Sequence, residues 1–139
     1  MNGKNLTTKG EKMLVDTEPK TEFTKVVNTK VRVYIAGPYS NDDPGRVAMN
    51  VLAAVEAGDK IAKAGYFVFI PHLNHYWHKF FEHDWQFWMD QDDAWLEVCD
   101  ALVRIGGASR GADQEVERAK TLGLPVFYGT EEFFHAQYS

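Results

Sequence analysis

The chain has 139 residues, 45% of them hydrophobic, with 15 basic against 20 acidic side chains and a formal net charge of −5. That length suits one compact domain with a sizeable core, and the acidic balance provides no basic face of the kind a nucleic-acid duplex calls for. Cys99 is the single cysteine, which excludes an internal disulfide and fits a reducing, cytoplasmic setting. No apolar run approaches the length of a membrane span, so no membrane partner is expected.

Residues 1–29 are rich in Lys, Thr and Glu, lack a signal-peptide core, and read as an N-terminal extension, disordered or draped over the domain. The domain itself is assigned to 30–139. "VRVYIA" (31–36) is a β-branched apolar run, a buried strand that stops at Gly37-Pro38. A helix follows, with Asp43 as cap and Pro44 in its first turn. Val47, Ala48, Val51, Leu52, Val55, Ile61 and Ala62 form its expected apolar stripe, and Gly65 ends it. "YFVFI" (66–70) is a second strand, closed by Pro71; residues 72–83 are aromatic and read as irregular. "DWQFWMDQDDAWLEVCD" reads as a helix, "ALVRI" (101–105) as a strand, "GADQEVERAKTLG" as a helix and "PVFY" (125–128) as a strand. "EEFFHAQYS" closes the chain as a short helix.

Strands alternating with helices across short links predict right-handed βαβ crossovers. The fold class is therefore α/β: a three-layer, doubly wound, flavodoxin/Rossmann-like parallel sheet of four or five strands, in order 2-1-3-4. Ligands of such sheets bind beyond the carboxyl ends of the strands, where the order reverses. The loops there are "GPYSNDDPG" after strand 1 and "GGASRG" after strand 3, the Gly-richest of the chain.

Two acids break the helical patterns. Glu115 lies three residues after Ala112 and four before Ala119, on their face. Asp92 falls four after Trp88 and four before Leu96, inside a stripe of Trp85, Trp88, Met89, Trp95, Leu96 and Cys99; Asp90, Asp93 and Glu97 take the opposite, solvated side. A buried carboxylate finds donors or takes up a proton. One such acid is usually a satisfied structural group. Two, on helices flanking one cleft, point to carboxylate chemistry at an anomeric carbon.

With "VYIAGPYS", "DxxWLxxCD" (92–100) and "SRGADQE" (109–115), residues 31–128 resemble the nucleoside 2-deoxyribosyltransferase superfamily. The spacing is most like that of the 2'-deoxynucleoside 5'-phosphate N-hydrolases. The resemblance implies Glu115 as the nucleophile at C1' and Asp92 as the acid that positions substrate and assists departure of the base. It implies Tyr34 at the edge of the active site and Ser109 on a 5'-phosphate. Gly37 and Gly111 match glycines that let backbone N–H groups approach the ligand, and His72 matches a histidine after strand 2. Trp95, inside the second motif, joins the substrate-binding set. Pro38 departs from the hydrolase pattern and removes a backbone donor; Ser40 and Arg46 are assigned to compensate. Ser109, with the N–H groups of Gly111 and Ala112, is expected to converge on an anion at a helix N-terminus.

His72, His75, His78 and His83 lack a ligand pattern, so no metal and no cofactor are expected. The expected activity is hydrolysis of a (deoxy)nucleoside 5'-monophosphate at its N-glycosidic bond, by an enzyme of nucleotide salvage. Two alternatives stand beside it: transfer of deoxyribose between bases, and a non-catalytic nucleotide-binding or sensing module. The resemblance further implies a homodimer or higher homo-oligomer.

Overall fold

The structure is a computed structural model that describes residues 30–138. The expected extension, residues 1–29, lies outside the described residues. Among these, β1 (Arg32–Ala36), β2 (Phe67–Phe69), β3 (Ala101–Arg104) and β4 (Val126–Tyr128) form one four-stranded sheet in the order β2-β1-β3-β4. All three pairings are parallel, with Tyr34 opposite Phe69 on one side and Leu102 on the other. The expected architecture and strand order are those observed.

Helices cover both faces. Val33, Ile35 and Val103 point to one face and pack with Ala54 and Ile61 of α1 (Pro44–Lys63) and Phe133 of α5 (Thr130–Tyr138). Tyr34, Ala36 and Leu102 point to the other, against Leu96 of α3 (Trp85–Glu97) and Ala112, Val116 and Ala119 of α4 (Arg110–Thr121). Alternation along β1 thus feeds two cores. Burying both faces is why this strand reads as a continuous apolar run. Asp43 is the cap the sequence predicts and accepts from Gly45 N–H; Asp84, which accepts from Phe87 N–H, and Ser109, which accepts from Ala112 N–H, cap the two later helices.

Three expectations are corrected. The buried stripe of α1 is Val51, Ala54, Ala57, Gly58 and Ile61, while Leu52 and Ala62 face solvent. Small residues at 54, 57 and 58 let the helix lie close on the sheet, so size outweighs hydropathy in choosing the face. Residues 72–83 are not irregular: a 3₁₀ turn (Pro71–Leu73) leads into α2 (Asn74–Phe80). On α3 only Leu96 of the expected stripe is buried, together with Cys99 just beyond the helix; Trp85 and Trp95 are more than half exposed.

Candidate active site

The carboxyl ends of β1 and β3, with α2, α3 and α4, enclose a cleft of about 1090 Å³. Its lining includes Tyr34, Asp92 and Glu115, together with residues of both glycine-rich loops. Position on the sheet explains how the three groups meet. Tyr34 lies in the central strand with its side chain fully buried toward α4. Its hydroxyl donates to Glu115 Oε2 at 2.5 Å. Glu115 sits between the buried Ala112 and Ala119 on α4, so the helix that packs on the sheet also delivers the carboxylate. Asp92 arrives from α3, and its Oδ1 accepts from Asn74 Nδ2, the first residue of α2, at 3.2 Å.

Burial drives both carboxyls upward, each to about 7. Their surroundings then separate them. For Glu115, the Tyr34 hydrogen bond and the Arg104 charge oppose the rise and favour the anion. For Asp92, the negative charge of Glu115 adds to the rise, and only the Asn74 amide opposes it. The Tyr34 donor and the Arg104 charge thus favour the anion on Glu115, and a charged Glu115 in turn favours the protonated form of Asp92. The Tyr34 phenol is pushed well above its ordinary value, first by burial and then by the Glu115 charge, so it stays a donor.

The two loops at the strand ends interlock. A Cβ on Gly37 would stand 2.7 Å from Ile105 Cγ1, and one on Gly106, whose φ is +78°, would stand 2.7 Å from Pro38 Cδ. Each loop needs a glycine where the other presses on it. His72 fastens the first loop from below: its Nε2 donates to the carbonyls of Gly37 and Pro38, each at 3.1 Å. Both acceptors are carbonyls, so this nitrogen carries the proton. The ring is buried, and burial holds its pKa below the ordinary histidine value. His72 therefore braces the loop while also lining the cleft. Across the cleft, Ser109 Oγ accepts from Ala112 N–H at 3.1 Å. Ala112 is thus no free anion donor; the first-turn N–H groups of Arg110 and Gly111 are those without an intrahelical acceptor. The Ser109 hydroxyl hydrogen still has a direction to donate.

Gly37, Ser40, His72, Ser109 and Gly111 all line the cleft, as expected. Arg46 and Trp95 do not. Arg46 stands exposed in the first turn of α1, and Trp95 stacks on Phe69 with centroids 5.5 Å apart at 19°. Three features escaped the sequence. Asn74 holds Asp92. Arg104 holds the loop after β3, and its signal was a lone charge inside the apolar run "ALVRI". Trp88 is fixed in the cleft wall by its indole N–H, which donates to His78 Nδ1 at 2.9 Å. Asp93, expected on a solvated face, pairs with Arg118 of α4 at 2.7 Å and so ties α3 to α4. Among the described residues, no group of three or more His, Cys, Asp or Glu side chains is arranged to hold a metal ion. A smaller hollow of about 660 Å³, lined among others by Lys60, Asp113 and Tyr128, contains neither central acid.

Residues 31–128 match the family model described as "Domain of unknown function (DUF4406)". No curated protein matches the chain. Among solved structures, the chain is similar to a 2-deoxyribosyltransferase from the psychrotolerant bacterium Bacillus psychrosaccharolyticus, with 21% identity over 69% of each chain and a TM-score of 0.54. At that identity the likeness carries the fold.

Proposed function

The chain belongs to the DUF4406 family, and from that premise we propose that it cleaves the N-glycosidic bond of a (deoxy)nucleoside 5'-monophosphate, releasing base and sugar phosphate. One observation carries the reading: two part-buried carboxyls, Glu115 bonded to Tyr34 and Asp92 bonded to Asn74, face one cleft at the switch point of the sheet. A module that only binds gains nothing from such a pair, because each buried acid opposes folding when ionised. The fold shared with a 2-deoxyribosyltransferase supports nucleoside chemistry as the class.

In this mechanism Glu115 attacks C1' with the oxygen not bound by Tyr34. The C1'–N bond breaks, its electron pair goes to the base, and the Asp92 proton neutralises the departing nitrogen. Water then attacks C1' of the glycosyl-enzyme. Its proton passes to Asp92, and the Glu115 carboxylate is released. Tyr34 fixes the carboxylate rotamer. The Ser109 hydroxyl and the N–H groups of Arg110 and Gly111 receive the 5'-phosphate, with Ser40 on the facing loop. Gly37 and Gly111 keep the two walls bare. The enzyme works as a cytoplasmic homo-oligomer in nucleotide salvage; the exposed Phe80, Phe81 and Trp85 support the assembly.

Deoxyribosyl transfer is the second reading, favoured by Pro38, which offers no N–H, and by the Ala112 N–H already satisfied by Ser109. Chromatography of a nucleoside and nucleotide panel, with and without a second base, separates the readings. Free base from monophosphates in water alone supports hydrolysis. Turnover of bare nucleosides only when an acceptor base is added refutes it in favour of transfer. Binding without release of base from any compound refutes catalysis.

A further inference from the structure

Arg104 is a buried cation that the cleavage mechanism above does not use. It ends β3, opposite Ala36 on one side and Tyr128 on the other, and is only 8% exposed. Its guanidinium reaches three acceptors. Nη1 donates to the carbonyl of Ile105, and Nη2 donates to the carbonyl of Gly107 at 3.0 Å and to Asp113 Oδ1 at 3.1 Å. Two of these acceptors belong to the loop that climbs from β3 to α4. The third stands in the first turn of α4.

We propose that Arg104 is a positioning residue: its planar fork sets the path of residues 105–109 and the start of α4, and so fixes where Ser109 and Glu115 stand in the cleft. The physical case has three parts. A buried guanidinium with one carboxylate partner is retained only where its geometry is met. Here it is met by backbone carbonyls that would otherwise be free to rotate. A cation close to the positive end of a helix is unfavourable by itself, and Asp113, placed in that first turn, answers both. Glycine at 106 and 107 gives the loop little stiffness of its own, so an external brace decides its path. The brace also places a positive charge where it acts on Glu115. The other groups facing that carboxyl are Tyr34 from β1 and Asp92 from α3; Arg118, on its own helix, lines the same cleft but is paired with Asp93 and Glu97.

The proposal rests on the glycosidase reading for its catalytic consequences, but its first test does not need turnover. In full-length protein with 13C-labelled glutamate, the Glu115 carboxyl signal, assigned by its absence in Glu115→Gln, is followed through a pH titration. Arg104→Met should move the midpoint upward by ~1 pH unit, because the cation that favours the anion is gone. Arg104→Lys keeps the charge and should stay within ~0.3 unit of the parent, yet lose the fork. Its KM for the monophosphate should rise ~10-fold with a smaller change in kcat, the mark of a displaced phosphate loop. Should Arg104→Met fail to fold, Arg104→Lys and Asp113→Asn carry the test, the latter loosening the fork with the arginine in place and raising KM in the same sense. An unmoved Glu115 midpoint in Arg104→Met, or an Arg104→Lys enzyme with parental KM, overturns the positioning role. A parent protein that releases no base from any nucleotide sinks the glycosidase reading alone, and the titration still judges Arg104.

Discussion

Replacing Glu115 by Gln should abolish base release and make the protein more stable at alkaline pH. The sign follows from burial. The carboxyl rises from 4.5 to about 7 on folding, so between those values the native state holds a proton that the unfolded chain has lost. Stability then falls as pH climbs through that window, and the full penalty is present above it. At about 1.4 kcal/mol per pKa unit the penalty is at most ~3.5 kcal/mol. The Tyr34 hydroxyl can still bond the Gln carbonyl, so ~1–3 kcal/mol should be recovered by the neutral isostere. For a domain of this size that is a rise in Tm of roughly 5–15 °C at pH 8. At pH 5 the parent is already protonated when folded, and the gap should shrink to less than half. Thermal melts of both proteins at the two pH values give the answer. Equal stability at pH 8, or a gap that does not change with pH, would refute the claim that an ionised Glu115 is held against its solvation.

Asp92→Asn should lower turnover by ~10²–10⁴-fold, with the heaviest loss for bases that leave poorly; rates across a leaving-group series measure this, and a uniform loss would reduce Asp92 to a substrate anchor. Ser109→Ala should narrow a roughly hundredfold preference for the monophosphate over the nucleoside by about tenfold, and should lower stability by ~1 kcal/mol through loss of the helix cap. Paired kcat/KM values and a denaturant melt read the two effects separately. Gly106→Ala should destabilise the domain by ~1–3 kcal/mol, since it strains a φ of +78° and drives a methyl into Pro38; an unchanged denaturation midpoint would show that the loops do not interlock.

The layers were legible because β1 and β3 are buried on both faces, so Val33–Ala36 and Ala101–Val103 read as unbroken apolar runs. Glu115 was legible for the opposite reason: one charge among Ala112, Val116 and Ala119 has no solvated place to go. The face of α1 was misread because hydropathy ranks Leu52 above Ala54, whereas close approach to the sheet favours the smaller side chain. The segment 72–83 hid its helix because aromatic and histidine residues carry weak helix propensity, and tertiary packing overrode it. Trp95 was drawn into the site by its motif. The backbone instead turns it onto Phe69, toward the β2 edge of the sheet. Arg104 and Asn74 act on other residues of the protein, and a linear pattern rarely records whom a brace touches.

Tyr34 belongs at once to the sheet and to the acid pair: fully buried, flanked by paired strands on both sides, and bonded to Glu115. Glu115 is thereby anchored to the central sheet, the kind of buried element expected to open last in native-state exchange. Loss of the Tyr34–Glu115 hydrogen bond on heating should consequently track global unfolding, with no cooler regime in which the fold survives and that bond has opened. Sequence change can collect instead in the aromatic wall of the cleft, whose rings hang on short helices outside the sheet. Asp92, by contrast, shares α3 with Trp88 and takes its hydrogen bond from Asn74 of α2, so it travels with the aromatic wall while Glu115 stays with the sheet.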